Sequence, residues 1–185
     1  MNGITDNIKA QWSKQMNIIF DYVPTKYKAD STEWHIRKFI WDFKNGKKAY
    51  EAAKIVAYNI QQQYGNRAKG MVFMCVPAST EEKNAIRYKL FSQMVCKFTG
   101  MANGYDAVTV EGERLAIHES HSSKRIESVQ IINVDTNKIN NKQVLIFDDI
   151  ITKGFSYARF ACEVERKGAQ VVGGIFLAKT IIKTN

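Results

Sequence analysis

Proline, cysteine and long apolar runs are all scarce in this chain. Two prolines among 185 residues, with no repeat and no low-complexity tract, exclude a proline-rich linker or a disordered chain. Cys75, Cys96 and Cys162 are odd in number and scattered through apolar patterns, which excludes a disulfide framework or a zinc cluster. They are expected to be reduced core thiols, as in a cytoplasmic protein. No apolar run approaches the roughly 20 residues of a membrane span. The N-terminus, MNGITDNIKAQW, has no basic segment leading into an apolar one, so the protein is expected to be neither exported nor inserted. Acidic residues are also in deficit. With 18 Asp+Glu against 27 Lys+Arg, the formal net charge of +9 favours polyanionic ligands over cationic ones.

What is present suits one globule with a single core, expected to span residues 1–185, with a helical N-terminal segment over 1–66 and an α/β core over 67–185. Over residues 4–20, Ile8, Trp12, Met16 and Ile19 recur at three or four positions, predicting an amphipathic helix. After a loop containing Pro24, Asp30-Ser31-Thr32-Glu33 reads as a capping box opening a second helix, which Asn45-Gly46 ends. A third helix is expected from about Lys48 to Tyr64, stopped by Gly65. The pattern then changes. MVFMCV, closed by Pro77, reads as a buried strand, and residues 81–98 return to helical spacing through Ile86, Leu90, Met94 and Val95. Further strands are expected at 106–110, 130–134 and 143–147, and in QVVGGIFLA near the C-terminus, with a helix over 156–167 ended by Gly168. Residues 111–127 are polar and predict an exposed loop. Apolar strands separated by helices predict an α/β fold, a mainly parallel twisted sheet with helices on both faces.

The segment VLIFDDIITKGFS, residues 144–156, carries the most chemistry. A buried strand of this kind presents its carboxyl end to a ligand, and here that end holds Asp148 and Asp149. Two adjacent carboxylates accept hydrogen bonds from vicinal hydroxyls and help to hold a hydrated divalent cation. Thr152, Lys153, Gly154, Phe155 and Ser156 then turn into a helix, whose first N–H groups favour a phosphate. A sugar on the carboxylates with its phosphate in the loop satisfies both halves. Lys153 either pairs with that phosphate or points to solvent.

This segment resembles the binding motif for phosphoribosyl pyrophosphate (PRPP) of the type I phosphoribosyltransferases, in which apolar residues precede an acidic pair and a Thr/Ser-rich loop containing glycine. The resemblance implies that Asp148 and Asp149 bind the ribose hydroxyls and that Thr152–Ser156 bind the 5-phosphate. It further implies Mg²⁺ near Asp148 and Asp149, and transfer of ribose 5-phosphate to an acceptor with release of pyrophosphate. Ala78, Ser79 and Thr80, after the first core strand, match that family's pyrophosphate loop, and local turn chemistry alone allows an ordinary strand-to-helix turn there. The layout is similar to the competence protein F branch: Val76-Pro77, then Arg87 with Phe91 and Gln93, then Lys124-Arg125 ahead of QIINV. Arg87 joins the pyrophosphate candidates on that basis. Lys124, Arg125 and His121 lie where related enzymes keep a flap over the reacting centre, which makes them the catalytic candidates. Thr152 stands where members that salvage 6-oxopurines carry an aspartate base, which argues against hypoxanthine or guanine as the acceptor. A homodimer is the assembly expected.

Other features stay open between two roles. His118 and His121 are either exposed loop histidines or groups for acid/base work or pyrophosphate contact, and His35 beside Trp34 is assigned to helix packing. Tyr88 and Phe155 either stack on a flat base or close the core edge. Arg37, Lys38, Lys44, Lys47, Lys48 and Lys54 form either a solvated helix face or phosphate contacts to a nucleic acid. In the second case the protein is a non-catalytic accessory that binds DNA; a regulator that senses PRPP without turning it over is a third reading.

Overall fold

The computed structural model describes residues 6–112 and 131–183. In chain order, the elements are α1 (Asp6–Trp12), β1 (Gln15–Tyr22), α2 (Ser31–Lys44), α3 (Ala49–Tyr64), β2 (Met71–Cys75), α4 (Glu81–Asn84), α5 (Leu90–Thr99) and β3 (Ala102–Asn103). They continue with β4 (Val108–Glu111), β5 (Ile131–Val134), α6 (Thr136–Ile139), β6 (Gln143–Ile151), α7 (Phe155–Arg166) and β7 (Gln170–Thr180). Five strands form one parallel sheet in the order β1-β7-β6-β2-β3, and β4 pairs antiparallel with β5 in a separate two-stranded ladder.

Both faces of this sheet are covered. On one face, α2, α3 and α5 pack Phe43, Ile60 and Phe91 against Phe73, Leu145, Phe147 and Ile175. On the other, α7 packs Tyr157, Ala161 and Val164 against Met74, Val144 and Ile146, with Ile8 and Trp12 of α1 alongside. The middle of β6 alternates between them, as a strand with period two must: Val144 and Ile146 to the α7 face, Leu145 and Phe147 to the other. The two crossovers therefore leave in opposite directions. The chain leaves β2 through α5 to β3 on one side, and leaves β6 through α7 to β7 on the other.

The expected architecture of a mainly parallel sheet with helices on both faces is present. The second and third helices also form as read, with the capping box of Asp30 and Glu33 intact and Gly65 ending α3. One helix does not. Residues 4–20 were expected to form a single amphipathic helix, but α1 ends at Trp12 and QMNIIFDY becomes the edge strand β1. Ile8, Trp12 and Met16 do share one side of the molecule, which explains the helical spacing. Past Lys14, however, the β-prone Ile18 and Phe20 pair with Phe176 and Ala178 of β7, and long-range pairing overrides local periodicity. Gly173 permits the close approach: a Cβ there would stand 2.4 Å from the Gln15 carbonyl oxygen. The strands expected near 106–110 and 130–134 are present, but they pair only with each other, and the edge place is taken by the two-residue β3.

Among the described residues, no helix is long and apolar enough to cross a membrane. Cys75, Cys96 and Cys162 are free, the first two buried, and burial pushes the Cys96 thiol up to about 12.

Candidate functional site

Pairing between β2 and β6 stops at Cys75 and Phe147, and one further bond runs from the Val76 N–H to the Phe147 carbonyl at 2.8 Å. Pro77, which has no N–H to donate, then turns the chain away. β6 continues to Ile151, still paired with β7, so Asp148 and Asp149 lie within the strand rather than beyond its end. Because the two crossovers diverge at this point, a crevice opens beside the overhang of β6. This is the position at which parallel α/β sheets bind ligands. The cleft there is about 480 Å³, with Pro77, Ala78, Ser79, Arg87, Asp148 and Asp149 in its wall. A neighbouring cavity of about 550 Å³ runs along Thr152 to Tyr157 and shares Asp148, Thr152 and Ser156 with it.

Consecutive strand residues point to opposite faces, and the two carboxylates accordingly have different surroundings. Asp149 follows Phe147 by two and is buried on the α2/α5 side. Arg87 Nη1 donates to its Oδ2 at 2.5 Å, the Tyr88 hydroxyl lies 3.5 Å from the same oxygen, and Lys44 Nζ is 3.5 Å from Oδ1. Arg87 and Tyr88 are consecutive, yet both reach one carboxylate because residues Ala85–Lys89 form a π-helical turn. Turns of this kind recur at functional sites. The Arg87 Nε also donates to the Lys44 carbonyl, at 3.4 Å. Burial and the two carboxylates push the Tyr88 hydroxyl well above its ordinary value, so it remains a neutral donor.

Asp148 is half-buried and lines both cavities. Its Oδ1 accepts the Asp149 N–H at 2.9 Å. Burial, and then the Asp149 charge, hold its carboxyl well above the usual aspartate range. An aspartate whose native value is raised contributes stability below its unfolded value of about 3.9, and that contribution is lost as pH rises through the native value. Asp148→Asn keeps an acceptor for the Asp149 N–H and removes the like charge. It is therefore expected to raise the melting temperature at neutral pH by about 2–4 °C, the shift that ~1 kcal/mol gives a domain of this size. A pH series of melting curves should also show a shallower loss of stability between pH 4 and neutrality in the variant than in the wild type. A lower melting temperature at neutral pH would contradict this account.

The five loop residues expected to hold a phosphate are together. Gly154, at φ +74°, precedes the first turn of α7, and its carbonyl accepts the Trp12 Nε1–H at 3.2 Å. Phe155 packs edge-on against Trp12, with ring centroids 5.1 Å apart, and so closes the core edge rather than presenting a stacking face. The Thr152 hydroxyl is 2.7 Å from that of Thr180, which joins the loop to the end of β7, and Lys153 is exposed. Ala78 and Ser79 line the cleft, whereas Thr80 caps α4 by accepting the Lys83 N–H at 3.2 Å. The Ala78 N–H donates to the side chain of the buried Asn84, at 3.1 Å. His121, Lys124 and Arg125, with His118, lie outside the described residues.

Tyr88 takes the core side of its two roles, whereas His35 and Arg37 depart from their sequence-based assignments. Tyr88 is a core residue, packed between Phe43 and Phe147 with its ring fully buried. His35 is exposed on α2, with Nδ1 2.6 Å from the Ser31 carbonyl oxygen. Arg37 is buried, donating to the carbonyls of Val23, Pro24 and Tyr27, while Lys38 and Lys48 pair with Asp42 and Glu51. Part of the basic segment is thus committed within the fold. Lys44, Asn84 and Thr180 were not singled out for the site. Only the charge of Lys44 was visible beforehand, since its place beside Asp149 depends on how α2 docks.

No protein-family model matches the chain. Over 79 residues the chain is 37% identical to an orotate phosphoribosyltransferase of Wolinella succinogenes, a stretch that covers 43% of this chain. It covers 36% of that relative, so the chain spans little more than a third of the relative's length. This similarity and the parallel sheet together support a phosphoribosyltransferase-like chain.

Proposed function

We propose that the protein transfers a 5-phosphoribosyl group from PRPP to an acceptor, in the manner of a type I phosphoribosyltransferase with the layout of the competence protein F branch. The observation that carries this reading is the joining of three elements around one crevice. An acidic pair lies on the overhang of β6, a Gly-containing loop opens α7 beside it, and a second loop faces them from the end of β2. In the reaction, the bond between the anomeric carbon and a pyrophosphate oxygen breaks, and a bond from the acceptor to that carbon forms. Asp148 and Asp149 accept from the ribose hydroxyls, and the Thr152–Ser156 loop anchors the 5-phosphate. Arg87 and the Ala78–Thr80 loop receive the leaving pyrophosphate, and His121, Lys124 and Arg125 are the further groups proposed to neutralise its charge. Positioning and charge neutralisation supply most of the rate.

Mg²⁺ belongs to the same proposal. Among the described residues no cluster of three His, Cys, Asp or Glu side chains offers a protein cage. Asp148 and Asp149 instead supply hard oxygens in an open cleft, which suits an ion that keeps its waters and shares substrate phosphates. When bound, it would spread the charge of the pyrophosphate.

The test is calorimetric titration with PRPP and Mg²⁺, followed by pyrophosphate release against a panel of bases and amines. Binding with turnover is the expected result, and the productive member identifies the acceptor. Binding without turnover across the panel would favour a PRPP sensor, and no binding at millimolar PRPP would end this reading.

A further inference from the structure

Resting on the PRPP reading, we infer that Lys44, at the end of α2, contacts the pyrophosphate of PRPP and positions Arg87 for the same task. Lys44 meets Arg87 twice. Its backbone carbonyl accepts the Arg87 Nε–H at 3.4 Å, and its ammonium lies 3.5 Å from the carboxylate that Arg87 also holds. The Lys44 side chain is about one-third exposed, and the residue lines the same cleft as Ala78 and Ser79. With three donors, a lysine ammonium can keep Asp149 and still turn a proton toward an incoming anion. A flexible point charge of this sort suits a phosphate whose position changes as it leaves.

The backbone around Lys44 is held for this placement. Phe43, the preceding residue, is fully buried, with its ring centroid 4.9 Å from that of Phe91 and 6.0 Å from that of Phe147. On the other side, Gly46 at φ +77° presses the chain onto the π-helical turn. A Cβ there would stand 2.8 Å from Ile86 Cγ2 and 2.9 Å from the Ile86 carbonyl oxygen. The end of α2 and the segment carrying Arg87 therefore behave as one seat for two cations. With Asp148 and Asp149 beside them, those cations are balanced in the free protein, and a pyrophosphate that shares them loosens their hold on Asp149. Asp149 is then available to the ribose.

Two probes separate the halves of the site: inorganic pyrophosphate with Mg²⁺, and ribose 5-phosphate, each titrated into the full chain. Lys44→Met is expected to weaken pyrophosphate by about 10–30-fold and to leave ribose 5-phosphate within about twofold, while Lys44→Arg restores most of the loss. Gly46→Ala, which keeps every charge, is expected to weaken pyrophosphate alone by about tenfold through displacement of the seat. Unchanged pyrophosphate affinity in Lys44→Met would overturn the inference and leave the PRPP reading standing. An equal loss of both probes would also overturn it, because it would mark a general structural role. If the wild type binds ribose 5-phosphate but not pyrophosphate, the inference alone falls. If it binds neither of them nor PRPP, both fall.

Discussion

Asp149→Asn is expected to lower phosphoribosyl transfer by at least about a hundredfold while tightening the binding of inorganic pyrophosphate several-fold. The opposite signs follow from what surrounds this side chain. Arg87 and Lys44 both balance its charge, and the Tyr88 hydroxyl stands beside it. Substitution by asparagine keeps the shape but removes the charge, so both cations become more available to an anion. On the proposed reading the ribose, however, loses a charged acceptor at the place where hydroxyl geometry has to be set. Turnover and pyrophosphate affinity therefore separate, which a merely destabilised protein would not show. The variant should also lose about 1–3 kcal/mol of stability, since Arg87 keeps a carbonyl acceptor but loses the charge of its partner. Steady-state pyrophosphate release, calorimetry and denaturant unfolding test the three parts. Near-normal turnover would remove Asp149 from the reaction.

The same residue shows how much of the site could be read from the chain. VLIF followed by two aspartates and a Thr-Lys-Gly-Phe-Ser loop contains the strand, the carboxylates and the helix start in order, and all three are local properties. That the carboxylates face opposite sides of the sheet also follows from a period of two. The partners of Asp149 do not follow, because Lys44 and Arg87 are 105 and 62 residues away in the chain and reach it through the docking of α2 and a π-helical turn. Helix α2 itself was legible, since Asp30 and Glu33 cap it and Ile36, Phe39, Ile40 and Phe43 mark its apolar side. β1 was not. Ile8, Trp12 and Met16 fall at helical spacing and share one side of the protein, but only pairing with β7 distinguishes a strand from a helix past Lys14. Arg37 makes the same point for charge: its position in a basic run suggested solvent, whereas three backbone carbonyls bury it.

Gly154→Val is expected to cost about 3 kcal/mol and to weaken ribose 5-phosphate by more than about tenfold, through two separable effects. The first is conformational. At φ +74° a β-branched side chain is strained whatever surrounds it, and this residue sets the direction of the first N–H groups of α7. The second is contact. A Cβ at Gly154 would meet Trp12 Nε1 at 2.9 Å and Cδ1 at 3.3 Å, so the new side chain pushes on the indole that hydrogen-bonds the Gly154 carbonyl. Gly154→Ala in a Trp12→Phe background separates them, because the smaller ring withdraws the contacting atoms and leaves the φ strain in place. In that double variant the combined stability loss should be smaller than the sum of the single losses by about 1 kcal/mol, the coupling expected of residues in contact. Ribose 5-phosphate affinity should recover in part, since the loop regains its path but not its glycine. Strict additivity would mean that α1 does not brace the Thr152–Ser156 loop and that backbone strain alone accounts for the loss.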